Sequence, residues 1–373
     1  MAKLGDIATI QSGGTPARSI AEYWEDGTIP WVKISDIKSK HLNQTEEMIT
    51  EVGLENSSAK IFPKGTILYT IFATLGETSI LEINAATNQA IAGISITDSR
   101  VLPDYLYYYL LSQKIHVQKI GRGVAQNNIN MKLLRDFDVP LPSKEAQLNI
   151  IEQLNQVTEL LFLRKQQLTK LDELIKARFV ELTENVNTVP TRMGDIATYI
   201  NGYAFKPTDW KESGLPIIRI QNLNDATARY NYFDGKIDSK YLVTTGDILV
   251  SWATHLEAYI WNGNRAWLNQ HIFKVLFNKI PINKIYFVYA TEDALRQAFK
   301  NAHGFKPTME HIKRSDFENA IVKLPPMEIQ NQFAAFVAEV DKSKLFAGSA
   351  VAHKPFDIEF FSKSTVQRPI KEV

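Results

Sequence analysis

The stretch LGDIATIQSGGTP, from Leu4 to Pro16, is nearly respelled as MGDIATYINGYAFKP from Met193 to Pro207. Long-range self-similarity of this kind fixes how many units a chain builds before any local propensity is weighed. The echo keeps its order along the chain, at offsets of about 180 to 190 residues, far beyond any solenoid period. KGTILYT (Lys64 to Thr70) returns as TGDILVS (Thr245 to Ser251), and Asn88-Gln89 returns as Asn269-Gln270. PDYLYYYLL (Pro103 to Leu111) returns loosely as NKIYFVYA (Asn283 to Ala290). Asp136-Phe137 returns as Asp316-Phe317, and LPSKEAQ (Leu141 to Gln147) as LPPMEIQ (Leu324 to Gln330). Six matches in one order describe a duplicated unit whose scaffold is shared and whose intervening display differs.

Each copy has the pattern of an α+β globule of about 140 residues, an ordinary domain size. Segments such as IPWVKISDI and LPIIRIQNL predict half-buried strands bounded by Gly, Pro and Asn turns. A helix is expected around the tyrosines, then a strand in FDVPL and in AIVKL. PLPSKE and LPPME place proline and an acid at a helix start.

Behind the first of these starts lies a run of about 40 residues without Gly or Pro, rich in Leu, Gln, Glu and Lys. Leu154, Leu161, Leu168, Ile175 and Leu182 recur at strict heptad spacing. Val157 and Leu171 add part of a second seam position, which Arg164 and Arg178 interrupt. The pattern is coiled-coil-like, and at 1.5 Å per residue it makes a rod of roughly 60 Å. The alternative is a long helix packed in a single core.

The 373 residues suffice for two or three cores, and the formal charge is only +1. That balance gives neither an acidic tail nor the overall basicity usual in nucleic-acid-binding domains. With no cysteine, disulfides, thiolate metal sites and a cysteine nucleophile are excluded. No stretch has the pattern of a signal peptide or a membrane span, so a soluble, cytoplasmic protein with no membrane partner is expected.

Two like modules at a fixed separation suit a ligand with two separated features. Duplex DNA is such a ligand, because half-site spacing must match protein geometry along the groove. Since the two displays differ, the half-sites should differ too. LGDIATIQSGGTP, GTIPWVKISDI, KGTILYT, the NQA pair, GVAQNNI and LPSKEAQLNIIEQL resemble the specificity subunit of type I restriction–modification systems, from about residue 3 to about residue 345. The resemblance implies two target recognition domains, each reading half of an asymmetric bipartite site in double-stranded DNA. It also implies helices that dock two DNA adenine methyltransferase (modification) subunits, joined by a restriction endonuclease/translocase subunit. No cofactor is then expected on this chain, and S-adenosylmethionine and ATP belong to those partners.

The expected fold class is α+β: two similar α/β target recognition domains separated by long coiled-coil-like helices, in a pseudo-two-fold internal repeat. The first domain takes residues 1–142, the first spacer helix 143–188 and the second domain 189–325. A shortened second spacer helix takes 326–345, with Val337 and Val340 matching Leu154 and Val157, and a divergent tail takes 346–373. Gly348, Pro355, Pro369 and the loss of heptads set the tail apart. The expectation is that a native tail was truncated or replaced, leaving part of the first rod's seam uncovered. Leu154, Leu161, Leu168, Ile175 and Leu182 are the expected partner-binding seam.

Amide, Arg and Lys side chains are the usual base-edge readers. In the first copy, GRGVAQNNIN offers Arg122, Gln126, Asn127 and Asn128; its counterpart AHGFKPTMEHIK offers His303 and Lys306. The competing assignment is a Gly/Asn turn leading into a helix. Lys33 and Ser35 in WVKISDI pair with Arg219, Gln221 and Asn222 in IRIQNLN, unless these are outward polar residues of a one-sided sheet. Thr74 in FATLG pairs with Thr254 and His255 in WATHL, where a simple strand-end turn serves equally. The identical Asn-Gln pairs suit scaffolding better than reading, because a base reader should differ between copies. Tyr105, Tyr107, Tyr108 and Tyr109 have helical spacing and are expected in the core rather than stacked on bases.

Near-neutrality also argues that partners contribute part of the backbone contact on which DNA affinity usually rests. Neither a Walker loop, an HExxH pair, a G-x-S-x-G elbow nor the adenine-methyltransferase motifs occur, and no metal site is expected, so the chain should be non-catalytic. The rival function is a protein scaffold with two adaptor domains on a helical rod and no DNA.

Overall fold

A computed structural model describes residues 1–121, 128–184, 186–225, 227–253, 256–303 and 312–349. The chain divides into two compact units, the first taking in Met1–Leu163 and the second beginning at Arg164.

In the first unit the main sheet runs Ala8–Ser12, Ile91–Ile96, Ile67–Thr70, Thr78–Leu81 and His41–Leu42 across its width. A smaller sheet runs Glu47–Ile49, Ile29–Val32, Ala85–Thr87 and Ile61–Phe62. The second unit repeats both orders: Thr198–Asn201, Ile272–Leu276, Ile248–Ser251, Glu257–Ile260, and then Asn231–Phe233, Leu215–Ile218, Ala266–Leu268, Leu242–Val243. Even the one parallel pairing of the small sheet recurs, Trp31 opposite Ala86 and Ile217 opposite Trp267. The first unit alone adds a parallel edge strand, His41–Leu42 beside Ile80–Leu81. Duplication is therefore a property of the fold, down to strand order.

Two expectations shift. Ile29–Val32 and Leu215–Ile218 do not alternate; each starts half-exposed and ends buried. Both strands also stop before Lys33 and Arg219, and the chain turns into the short helices Ile34–Asp36 and Ile220–Asn224. The second shift is in register. Met193 N–H donates to Ala320 O as Leu4 N–H donates to Phe137 O, both at 2.9 Å, so Phe137 corresponds to Ala320. Buried Leu134 corresponds to Phe317, each followed three residues later by an N–H bonded back to its carbonyl. The Asp136-Phe137 and Asp316-Phe317 echo is thus a coincidence of letters three residues out of register.

The tyrosines lie on the helix Pro103–Ser112 and are buried, as expected. Their hydroxyls still find acceptors: Tyr105 donates to Pro140 O at 2.9 Å, Tyr109 to Asp138 O at 3.0 Å and Tyr108 to Asn155 Oδ1 at 2.5 Å. Aromatic bulk fills the core while the polar tips of these three are satisfied at its rim.

The spacer is one helix, Lys144–Glu184. Ser143 caps its start, its hydroxyl accepting from Ala146 N–H at 3.3 Å. Gln147, fully buried, donates to Arg100 O (2.8 Å) and Pro142 O (3.0 Å) and accepts from Leu102 N–H (3.0 Å). Gln330 does the same on the helix Met327–Ser349, donating to Pro325 O and accepting from Asn283 N–H, each at 2.9 Å. The heptad seam is divided between the two cores. Ile150 and Leu154 complete the first core, whereas Leu171, Ile175, Phe179 and Leu182 pack into the second with Phe333, Val337 and Val340. Leu161 and Leu168 are half-buried. The second spacer helix runs to Ser349, four residues beyond the expected end. The rest of the tail lies outside the described residues. No described helix is long and apolar enough to cross a membrane.

Gly13 and Gly202 share one constraint. A Cβ on Gly13 would sit 2.2 Å from Thr87 O, and one on Gly202 would sit 1.9 Å from Asn269 O. Neither clash can be relieved by a rotamer, because the obstacle is backbone. Gly202→Ala should cost roughly 3 kcal/mol, the upper range for overpacking. In urea unfolding of the whole chain the second unit should melt earlier while the first is unchanged. Unfolding indistinguishable from wild type would show that the turn yields.

Candidate functional site

One edge of each unit is assembled from segments far apart in sequence. In the first unit the turn after Thr87 is the hub. Asn88 N–H donates to Val32 O at 3.1 Å, and Ala90 O accepts from Ile71 N–H at 2.8 Å. Ile71 O in turn accepts from Ile129 N–H at 3.0 Å. Gly13 and Gly14 close the other side, donating to Ile91 O and Thr87 O. The second unit repeats every bond: Asn269 N–H to Ile218 O (3.1 Å), Trp252 N–H to His271 O (3.2 Å), Ile312 N–H to Trp252 O (3.2 Å), with Gly202 and Tyr203 donating to Ile272 O and Leu268 O. These equivalences place Ile71 with Trp252 and Phe72 with Ala253, one residue off the expected pairing of FATLG with WATHL.

The described parts of the expected reader segments adjoin this edge. The segments carrying Lys33 and Arg219 leave the strand ends bonded to the Asn-Gln turn. Thr74 sits in the turn after Phe72, and Asn128 pairs with Phe72 across an isolated antiparallel bridge. Arg122, Gln126, Asn127, Thr254, His255 and Lys306 lie outside the described residues, and His303 is the last residue of the helix Lys284–His303.

Equivalent positions differ in chemistry. The Lys33 ammonium is ion-paired with Glu47 at 2.8 Å and Glu46 at 3.0 Å. Its hydrogen bonds to Glu47 and then Glu46 hold it above the usual lysine pKa, and the bond from Lys33 holds Glu46 below the usual carboxylate value. Glu47 also receives Arg18, whose guanidinium lies 3.7 Å from the centre of the Trp24 ring. Arg219 instead donates to a neutral partner, Asn231 Oδ1, at 3.0 Å, and lies 5.2 Å from the Trp210 ring. Its charge is uncompensated at that contact.

Asn222 is spent on structure. It is 6% exposed, its Oδ1 accepts from Arg219 N–H at 3.1 Å, and its Nδ2 donates to Ala228 O and Arg229 O at 3.3 Å. Asp36 does the same capping work in the first unit, accepting from Lys33 N–H at 2.7 Å. Ser35, Gln221 and Thr74 are exposed. The Asn-Gln pair holds backbone, but not identically. Asn88 Oδ1 accepts from Ala90 N–H at 3.1 Å, whereas Asn269 Oδ1 is buried without a partner among the described residues.

The balanced total charge also hides an asymmetry. Residues 1–142 carry 13 Lys and Arg against 15 Asp and Glu; residues 189–325 carry 17 against 13. Among the described residues no cluster of His, Asp and Glu is arranged to hold a metal ion. Exposed apolar side chains stud the spacer helix at Leu148, Val157, Leu160, Phe162, Leu163 and Leu174. Sequence reasoning kept to the heptad seam and so missed Leu160, Phe162 and Leu163, whose signal was excess apolarity off the seam.

Comparison with known proteins agrees with the doubled architecture. The type I restriction modification DNA specificity domain matches the chain twice, over residues 1–173 and 185–347. The specificity subunit of the type I restriction enzyme MjaIX of Methanocaldococcus jannaschii is 26% identical over 378 residues, covering 90% of this chain and 85% of that one. The EcoR124I/EcoR124II specificity subunit of Escherichia coli is 29% identical over 160 residues, covering 41% of this chain and 39% of its own. A solved structure from work on complex assembly and conformational transition of the type I R-M system aligns with a TM-score of 0.56 at 16% identity, over 97% of this chain and 93% of that one.

Proposed function

Because the chain belongs to the type I restriction modification DNA specificity family, we propose that each unit reads one half of an asymmetric bipartite DNA site through the edge built around its Asn-Gln turn. The observation that carries this is one backbone scaffold displaying different side chains in the two units. A reader of two unlike half-sites needs that combination, because phosphate contacts position while base contacts specify. In the second unit Arg219 and Gln221 are the described contacts of choice: among the described residues the Arg219 side chain hydrogen-bonds only a neutral partner, and Gln221 is exposed. In the first, Ser35, Thr74 and Asn128 are better placed than Lys33, whose charge is already met by two carboxylates.

The exposed apolar residues of the spacer helix suit protein partners, since contiguous apolar surface marks interaction sites. The proposed occupants are two DNA adenine methyltransferase subunits, joined by the restriction subunit, with S-adenosylmethionine and ATP bound on those partners. The chain itself contributes selection, not catalysis.

The test is the adenine methylation pattern of cells carrying this chain with its methyltransferase subunit. The expected result is one asymmetric motif, two short half-sites around a fixed gap. An assembled complex that leaves no motif and binds random duplex without selectivity would instead favour the protein scaffold.

A further inference from the structure

We propose that Phe72 is a specificity-determining residue of the first unit that reads a thymine methyl group in the first half-site, an inference that rests on the DNA-reading function above. Phe72 is 40% exposed, while its neighbours Ile71 and Leu75 are 3% and 1% exposed. A lone exposed apolar side chain is ordinary on a protein surface; its position here is not. Phe72 directly follows the segment that ties Ala90 to Ile129, and its backbone pairs with Asn128 at the end of GRGVAQNNIN. The next residue, Ala73, takes φ +58°, a left-handed conformation that L-residues seldom adopt. The turn therefore accepts local strain while presenting the phenyl ring to solvent.

The second unit provides the contrast. Its hydrogen bonds place Ala253 at the same point, and Ala253 is 1% exposed, so the side chain at the position equivalent to Phe72 is small and buried. The scaffold does not need an aromatic side chain at this position, and the ring belongs to the display rather than to the core.

The chemistry of the first unit favours an apolar reader. Its candidate cation at this edge, Lys33, is held by Glu46 and Glu47, and acids outnumber bases over residues 1–142. A neutral ring on such a surface approaches a base edge without first breaking an ion pair. Among base edges in the major groove only thymine offers a methyl group, and phenylalanine is one of the side chains that contact it.

The experiment compares the full chain, Phe72→Ala and Phe72→Leu, each with its methyltransferase subunits, by methylation motif in cells. Phe72→Ala should lose about tenfold of the preference for thymine at one position of the first half-site, the scale of a single base-pair discrimination. Phe72→Leu should keep most of it, and the second half-site and the gap should be the same in all three. A check free of folding uses wild-type complex on duplexes in which each first-half-site thymine is replaced in turn by uracil, which lacks only the methyl. One replacement should weaken binding several-fold. An unchanged motif in Phe72→Ala, relaxation at a position without thymine on either strand, or indifference to every uracil would overturn the assignment. A wild-type complex with no bipartite motif at all would sink the DNA-reading function instead, so the two failures are distinct.

Discussion

A chain in which the first unit is exchanged for that of a relative should methylate a site with a new first half and an unaltered second half. The reason is that the cores are separate. The clusters built on Leu4 to Leu154 and those built on Leu171 to Val340 have no residue in common. The join should fall after Leu154, not at residue 142, because Ile150 and Leu154 belong to the first core although they stand on the spacer. Each wrong base pair costs about 1–3 kcal/mol, so a half-site with three of them falls orders of magnitude below the new one. Methylation mapping of the hybrid decides the matter: change in both halves together would mean that the units do not read independently.

Lengthening the spacer should move the half-sites apart without altering either. Four residues added between Leu161 and Leu168 extend a helix by about 6 Å, close to two base pairs of rise, and turn it by about 40°. The site is well chosen physically. Ile150 and Leu154 remain docked on the first core, and Leu171, Ile175 and Phe179 on the second. What changes is the helix between them. The expected methylation motif keeps both half-sites and gains about two base pairs in its gap. An assembled, active complex with the original gap would show that the spacer does not set the distance.

Much of this was legible in the sequence because it was written locally and twice. The doubled LGDIAT and MGDIAT openings, the Gln147 and Gln330 helix entries and the helical spacing of the tyrosines all reached the fold as expected. What was not legible depends on pairings across the chain. Lys33 looks like a free cation in WVKISDI. It is neutralised only because the pairing of Ile29–Trp31 with Glu47–Ile49 brings Glu46 and Glu47 beside it. Asn222 looks like a reader until its amide is seen capping the turn that presents Arg219. The Asp-Phe echo failed for a related reason. Two helices of different length, Met131–Arg135 and Arg314–Asn319, share a buried position, Leu134 and Phe317, rather than a dipeptide.

The division of the spacer helix between two cores makes chain order into an order of folding during synthesis. The first unit is short of its inner wall until Ile150 and Leu154 have left the ribosome, so its closing waits on the first quarter of the helix. The second unit meets the opposite circumstance. Ile175, Phe179 and Leu182 emerge first, Tyr286 and Tyr289 reach Phe179 only after about 100 further residues, and the core is not closed until Phe333, Val337 and Val340 arrive some 150 residues later. At 5–20 residues per second that interval lasts on the order of ten seconds. Throughout it, a half-helix with an open apolar face is tethered to a finished domain, and the nascent chain is most in need of a chaperone or an early partner.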